Sequence, residues 1–147
     1  MISKRWLFAA GAGAIIAAAG VFIATSLLEP KLPDVKFATF SIEPQSVRVN
    51  ETAIVRVNVE SHESRIINNL KVITSFDDPL YSQFLSIDND ILPLPPLQNK
   101  EARTGEYDIR ITAIKLAGEE MRFRGAVNLL VDGKVTDSRL FDLSITK

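Results

Sequence analysis

The chain has 147 residues, 46% of them hydrophobic, with 17 lysines and arginines against 18 aspartates and glutamates, one histidine and no cysteine. The near balance of charge does not suggest a nucleic-acid binder, which needs a basic face for phosphates, and the lack of thiols excludes zinc–thiolate, iron–sulfur and blue-copper centres. The length allows one ordinary domain, whose core must hold it without disulfides.

Residues 1–5 include Lys4 and Arg5, and Trp6 to Leu28 then run for 23 residues without a charge. At 1.5 Å per residue such a helix is about 34 Å long, enough to cross a hydrocarbon core of roughly 30 Å. The sequence therefore predicts a single transmembrane helix over residues 6–28. All 18 acidic residues and 15 of the basic ones lie from Glu29 onward, a net charge of −3. The positive-inside bias places residues 1–5 in the cytoplasm and the rest outside a cell membrane, with Trp6 at the interface. A secretory signal peptide cut after Ser26, with Ala24 and Ser26 as the small residues, is the competing reading. Its apolar region normally runs about 7–15 residues, so an uncleaved anchor is expected.

The predicted helix has two unlike faces. At 100° per residue, Ala9, Gly13, Ala17, Gly20 and Ala24 fall on one side, and Phe8, Ile15, Ile16, Phe22 and Ile23 on the other. Small residues let helix backbones approach closely in lipid, so the first face is a candidate helix-packing surface. Alanine and glycine are also simply common in such spans.

Residues 29–36, with Pro30 and Pro33, read as a short stiff linker. From Phe37 onward the hydrophobic period is two. Ala53, Val55, Val57 and Val59 alternate with Thr52, Arg56, Asn58 and Glu60. Leu70, Val72, Thr74 and Phe76 repeat the pattern, as do Tyr107, Ile109, Ile111 and Ala113. Met121 to Val131 forms a longer strand, with Gly125 expected as a bulge. Phe141, Leu143 and Ile145 form the last. Asp132-Gly133 signals a tight hairpin, and Gly118 is expected to turn the hairpin before it. No segment after Leu28 has helical periodicity. About seven short strands over residues 37–147 predict an all-β, antiparallel, immunoglobulin-like sandwich preceded by the single transmembrane α-helix.

Two stretches carry a family resemblance. The segment from Phe40 through Ser41-Ile42-Glu43-Pro44 to Val59 resembles the opening strands of immunoglobulin-like surface modules of the CARDB and NEW3 kind. Thr104-Gly105-Glu106-Tyr107-Asp108-Ile109 is similar to the start of a late strand in that fold. The resemblance implies that the Tyr107 hydroxyl bonds back to nearby backbone. It also implies an adhesive or scaffolding role, by analogy of fold alone. The immunoglobulin cysteine pair and buried tryptophan are absent; the only tryptophan is Trp6.

Chemistry is sparse. His62, in Ser61-His62-Glu63-Ser64, reads as an exposed loop residue, and one histidine without a cysteine cannot build a cupredoxin site. Asp77-Asp78-Pro79 and Asp88-Asn89-Asp90 are oxygen-rich but match no calcium loop, and these residues are ordinary turn formers. Leu92, Pro93, Leu94, Pro95, Pro96 and Leu97 form either a rigid crossover along a sheet edge with its leucines packed down, or a partner-binding ridge. Asn50-Glu51-Thr52 fits the glycan acceptor pattern at Asn50. Neither a catalytic nor a metal site is identified, and no cofactor, nucleic acid or small-molecule substrate is expected.

The leading expectation is a non-catalytic, single-pass accessory subunit of a membrane protein complex. Its helix would pack on other transmembrane subunits within the lipid, and its sandwich would brace the extracytoplasmic side. The alternative is a free-standing, surface-anchored binding or adhesion module. A pilin- or archaellum-like filament or stator component is a third. Against it, Lys4-Arg5 is followed by Trp6 rather than a small residue, and no glutamate stands early in the apolar stretch.

Overall fold

The alternation of apolar and polar residues becomes nine strands in a computed structural model that describes residues 31–98 and 102–147. The span predicted over residues 6–28, residues 1–5 expected on the cytoplasmic side and the first part of the linker lie outside the described residues. Among the described residues, no helix is long and apolar enough to cross a membrane.

The strands are β1 (Val35–Glu43), β2 (Ser46–Arg48), β3 (Thr52–Ser61), β4 (Leu70–Phe76), β5 (Leu85–Asp88), β6 (Ile91–Leu94), β7 (Tyr107–Ala113), β8 (Glu120–Val131) and β9 (Lys134–Thr146). One 3-10 turn, Tyr81–Gln83, interrupts them. They form a four-stranded sheet in the order β1-β3-β7-β5 and a five-stranded sheet in the order β2-β9-β8-β4-β6. All pairs are antiparallel except β2 with β9, which run parallel. Leu32 to Lys147 forms one compact unit.

The core is what the period of two dictates. Val55, Val57 and Val59 of β3 and Ile109 and Ile111 of β7 point inward from the four-stranded sheet. Phe123, Val127 and Leu129 of β8, with Leu143 and Ile145 of β9, point inward from the other. Removing these side chains from water supplies the main drive for folding, at about 25 cal/mol per Å² of apolar surface. Strand β1 begins at Val35, inside the expected linker, because Val35 and Phe37 both reach this core.

Two local expectations are corrected. Gly125 is not a bulge. It pairs in register with Phe76 on one side and Phe141 on the other, and the Phe141 ring lies over it, so that a Cβ there would overlap the ring. The bulges occur elsewhere, between Phe37 and Thr39 in β1 and opposite Leu129 and Leu130, where Thr136 is the extra residue of β9. Gly118 has a left-handed φ of +86°, but it turns a crossover, since β7 and β8 belong to different sheets. Strands β5 and β6 were not expected as strands, although the sequence offered Leu92–Leu97 as a sheet-edge crossover. They sit at the edges of opposite sheets, joined across the sandwich by Asn89 at φ +63° and Asp90. The Asp132-Gly133 hairpin forms as expected, with positive φ at both residues.

Strand β9 also closes one side of the sandwich. The Phe37 backbone N–H, on the open edge of β1, donates to Asp137 Oδ2 at 3.0 Å. Arg139 stands 3.5 Å from the same carboxylate oxygen. A charged side chain at an edge N–H blocks pairing with another chain there.

Candidate functional site

The segment Leu92–Leu97 is the sheet-edge crossover. Strand β6 pairs with β4 in the register Leu70–Leu94 and Ile73–Ile91, and Leu97 continues the pairing with Ile67. Leu94 and Leu97 are buried and Leu92 is half-buried against the core, while Pro93, Pro95 and Pro96 are exposed. The leucines are thus packed down. What faces solvent is proline, which cannot donate to an added strand. Asn50 sits at an exposed turn with φ +72°. Its backbone N–H donates to the Ala113 carbonyl at 2.7 Å, leaving the side chain outside. The Thr52 hydroxyl of the same triplet is engaged with that of Thr112 at 2.8 Å. The helix-packing face of Ala9, Gly13, Ala17, Gly20 and Ala24 lies outside the described residues.

The polar candidates serve local structure. Asp78 Oδ1 accepts from the Leu80 N–H at 2.8 Å, and Asp90 Oδ1 from that of Ile91 at 3.0 Å. Among the described residues no three His, Cys, Asp or Glu side chains are grouped as metal ligands would be. Tyr107 packs partly buried against the core. Its hydroxyl donates to no backbone carbonyl among the described residues.

His62 is not isolated. Its Nε2 lies 3.2 Å from Glu60 Oε1, and Arg103 Nη2 lies 2.9 Å from Glu60 Oε2. An ionised carboxylate can only accept, so His62 donates. That hydrogen bond is the main cause of a Glu60 pKa below its ordinary value; desolvation opposes it and the Arg103 charge assists.

Two open grooves flank the five-stranded sheet. One, of about 470 Å³, is lined by Asp77, Arg122, Phe123, Arg124, Asp142 and Ser144. Its arginines are already paired: Arg124 Nε is 3.2 Å from Asp142 and Arg122 Nε is 3.2 Å from Glu120. The other, of about 510 Å³, runs past Asn69, Lys71, Pro93 and Asp132.

The feature that the sequence did not disclose is the outer face between these grooves. Register places Pro93, Lys71, Leu130 and Val135 in one row across β6, β4, β8 and β9. Ile91, Ile73, Asn128 and Ser138 form the next row, and Ser75, Ala126 and Leu140 the third. Leu140 is 69% exposed, Ile91 58% and Val135 49%. A solvated sheet face normally alternates to polar; here Lys71, Asn128, Ser138 and Ser75 do so, while Ile91, Val135 and Leu140 are exposed aliphatics, Ile73 is half-buried and Leu130 is buried. The only sequence signal was that Leu129-Leu130 and Leu140-Phe141 break strict alternation.

The two sheets define an antiparallel, immunoglobulin-like β-sandwich. No family model matches the sequence and no curated protein is significantly similar to it. The structure is similar to the CARDB domain of the PF1109 protein from Pyrococcus furiosus, at 16% identity and a TM-score of 0.49, over 81% of this chain and 93% of that one. It is also similar to a Niemann-Pick type C2 protein from Japanese carpenter ant, at 14% identity and a TM-score of 0.45, over 80% and 98% of the two chains. A third likeness is to SSP-19, an MSP-domain protein like family member in Caenorhabditis elegans, at 11% identity and a TM-score of 0.44, over 73% and 99%. A CARDB domain is thus among the structures this chain resembles, in keeping with the resemblance carried by residues 37–147. At these identities the likeness is one of fold and assigns no function.

Proposed function

We propose that the protein is a non-catalytic, single-pass accessory subunit of a membrane complex, its sandwich docking on an extracytoplasmic partner through the outer face of the five-stranded sheet. The observation that carries this is the set of exposed aliphatic side chains Ile91, Val135 and Leu140, with half-buried Ile73, on that face. Apolar side chains gathered on one exposed face mark protein contact surfaces. The uncharged residues 6–28, with their small-residue side, support attachment to transmembrane neighbours. The same cluster suits a free-standing, surface-anchored binding module, so the partner decides between the two.

The test is a mild-detergent pull-down of the full-length chain from its native membrane, followed by mass spectrometry. Stoichiometric recovery of polytopic subunits, lost in the Leu140→Asp variant, is the expected result. Recovery of the chain alone transfers the assignment to the free-standing module.

A further inference from the structure

One end of the sandwich is built where the chain comes in. Strand β1 begins opposite Ser61. The His62 N–H donates to the Asp34 carbonyl at 2.9 Å, and the Asp34 N–H to Glu63 Oε1 at 2.7 Å. Residues 32–34 are thereby tied to the loop between β3 and β4. In that loop Ile67 is buried, its N–H and C=O both bonded to Leu97 at 2.9 and 3.0 Å. The neighbouring Ile66 is held outward, 51% exposed, beside exposed Arg65. Leu32 is 47% exposed. The β8–β9 hairpin reaches the same end, fastened by Asn69 Nδ2 to Asp132 Oδ1 at 3.0 Å and followed by exposed Lys134.

The length of chain ahead of this end says what it meets. Only Glu29, Pro30 and Lys31 separate Leu28 from Leu32. Even fully extended, those four steps reach about 14 Å. The headgroup layer is roughly 5–8 Å thick on each side of the hydrocarbon. If residues 6–28 span the bilayer, the domain starts within or just beyond the headgroups.

We propose that this end rests on the lipid surface, with Leu32 and Ile66 entering the interface and Arg65 and Lys134 facing the headgroups. Asp34, Glu63 and Asp132 share this end and offset the basic charge, so the aliphatic pair supplies the interfacial contact, with Arg65 and Lys134 available to headgroup phosphates. The surface then serves to orient the sandwich, leaving the outer face of the five-stranded sheet turned sideways toward a neighbour. The proposal rests on the membrane-anchored reading given above.

The chain has no cysteine, so single reporters can be placed cleanly. The full-length protein is reconstituted in phosphatidylcholine–phosphatidylglycerol vesicles containing spin-labelled lipid. An environment-sensitive fluorophore is attached at N68C, at S82C on the 3-10 turn beyond the far end of β4, or at L28C. Quenching at N68C about twofold or more above that at S82C is expected, because an interfacial contact lies within roughly 10 Å of the acyl boundary. Adding Ile66→Asp should return N68C to the S82C level. Quenching at L28C with N68C no different from S82C overturns the proposal and leaves the anchor standing. Quenching at N68C that ignores Ile66→Asp overturns it as well. An unquenched L28C removes the anchor and the proposal together.

Discussion

Replacing Gly125 with alanine separates two opposite expectations. In a strand interior, alanine should be better than glycine by roughly 0.5–1 kcal/mol, since less backbone entropy is lost on folding. Gly125 has no positive φ to excuse it. Against this stands the Phe141 ring, whose Cε1 and Cε2 would lie 2.7 and 2.8 Å from the new Cβ. The ring has little room to withdraw. Phe76 meets it edge-on at a centroid distance of 5.5 Å, Phe40 lies at 6.5 Å, and Phe141 is only 6% exposed. Overpacking of this kind typically costs about 1–3 kcal/mol, so Gly125→Ala should destabilise the β-sandwich by a net ~1–2 kcal/mol. At ~4–8 °C per kcal/mol for a domain of this size, Tm should fall by roughly 5–15 °C. Urea unfolding of residues 32–147, followed by far-UV circular dichroism, reads the change as a lower midpoint at constant slope. The decisive control is the double-mutant cycle with Phe141→Ala, itself worth a loss of ~3–5 kcal/mol. With the ring gone, Gly125→Ala should become neutral or stabilising. An equal cost in both backgrounds, or no cost in the native one, refutes the argument that the ring selects glycine.

Three other outcomes follow from named groups. Thr74 Oγ1 is buried without a hydrogen-bond partner among the described residues, so Thr74→Val should raise stability by about 1 kcal/mol, seen in the same urea transition. Ile91→Asp and Leu140→Asp, both on exposed positions, should each shift stability by no more than ~0.5 kcal/mol while abolishing partner recovery in the pull-down; a parallel loss of both properties argues against a docking face. Glu60, its pKa lowered first by His62 and then by Arg103, adds stability that is present above its unfolded pKa and is lost as pH falls through the lower folded one. His62→Ala should move the Glu60 carboxyl resonance, titrated by NMR, upward toward the ordinary range, and an unmoved titration would show that His62 does not hold the carboxylate.

Legibility from the sequence tracked the range of the interactions involved. Strands β3, β4 and β7 announce themselves because one face of each is buried, which forces the period of two. The Asp132-Gly133 turn was legible because its positive φ values are a local demand. Strands β5 and β6 were not, since each has four residues and lies on a sheet edge, too short for a period to accumulate. The reason for Gly125 lies in a ring sixteen positions away. The cap on the β1 edge joins residues one hundred apart. No local pattern encodes such contacts. The exposed aliphatic residues of the outer face were hidden for a related reason: Ile91, Ile73, Val135 and Leu140 come from three strands, and each strand alone looks only slightly imperfect.

The choice of docking face follows from what each face would lose on leaving water. On the outside of the four-stranded sheet, Arg56 lies 3.4 Å from Asp108 and 3.6 Å from Glu106. Thr39 bonds Asn58 at 3.0 Å in the same layer. Covering those groups would desolvate charges whose mutual attraction in water is worth at most about 1 kcal/mol, while the penalty for burying each ion is several. The outside of the five-stranded sheet has the reverse balance. Its charged pairs, Arg124–Asp142 and Arg122–Glu120, are confined to one end. Away from that end Ile91, Val135 and Leu140 are exposed beside Lys71, Asn128 and Ser138, and each Å² of apolar surface covered there returns roughly 25 cal/mol. On the proposed reading, a partner seated over Ile91, Val135 and Leu140 would gain from apolar burial and leave the ion pairs solvated at the rim, the arrangement that stable protein contacts share.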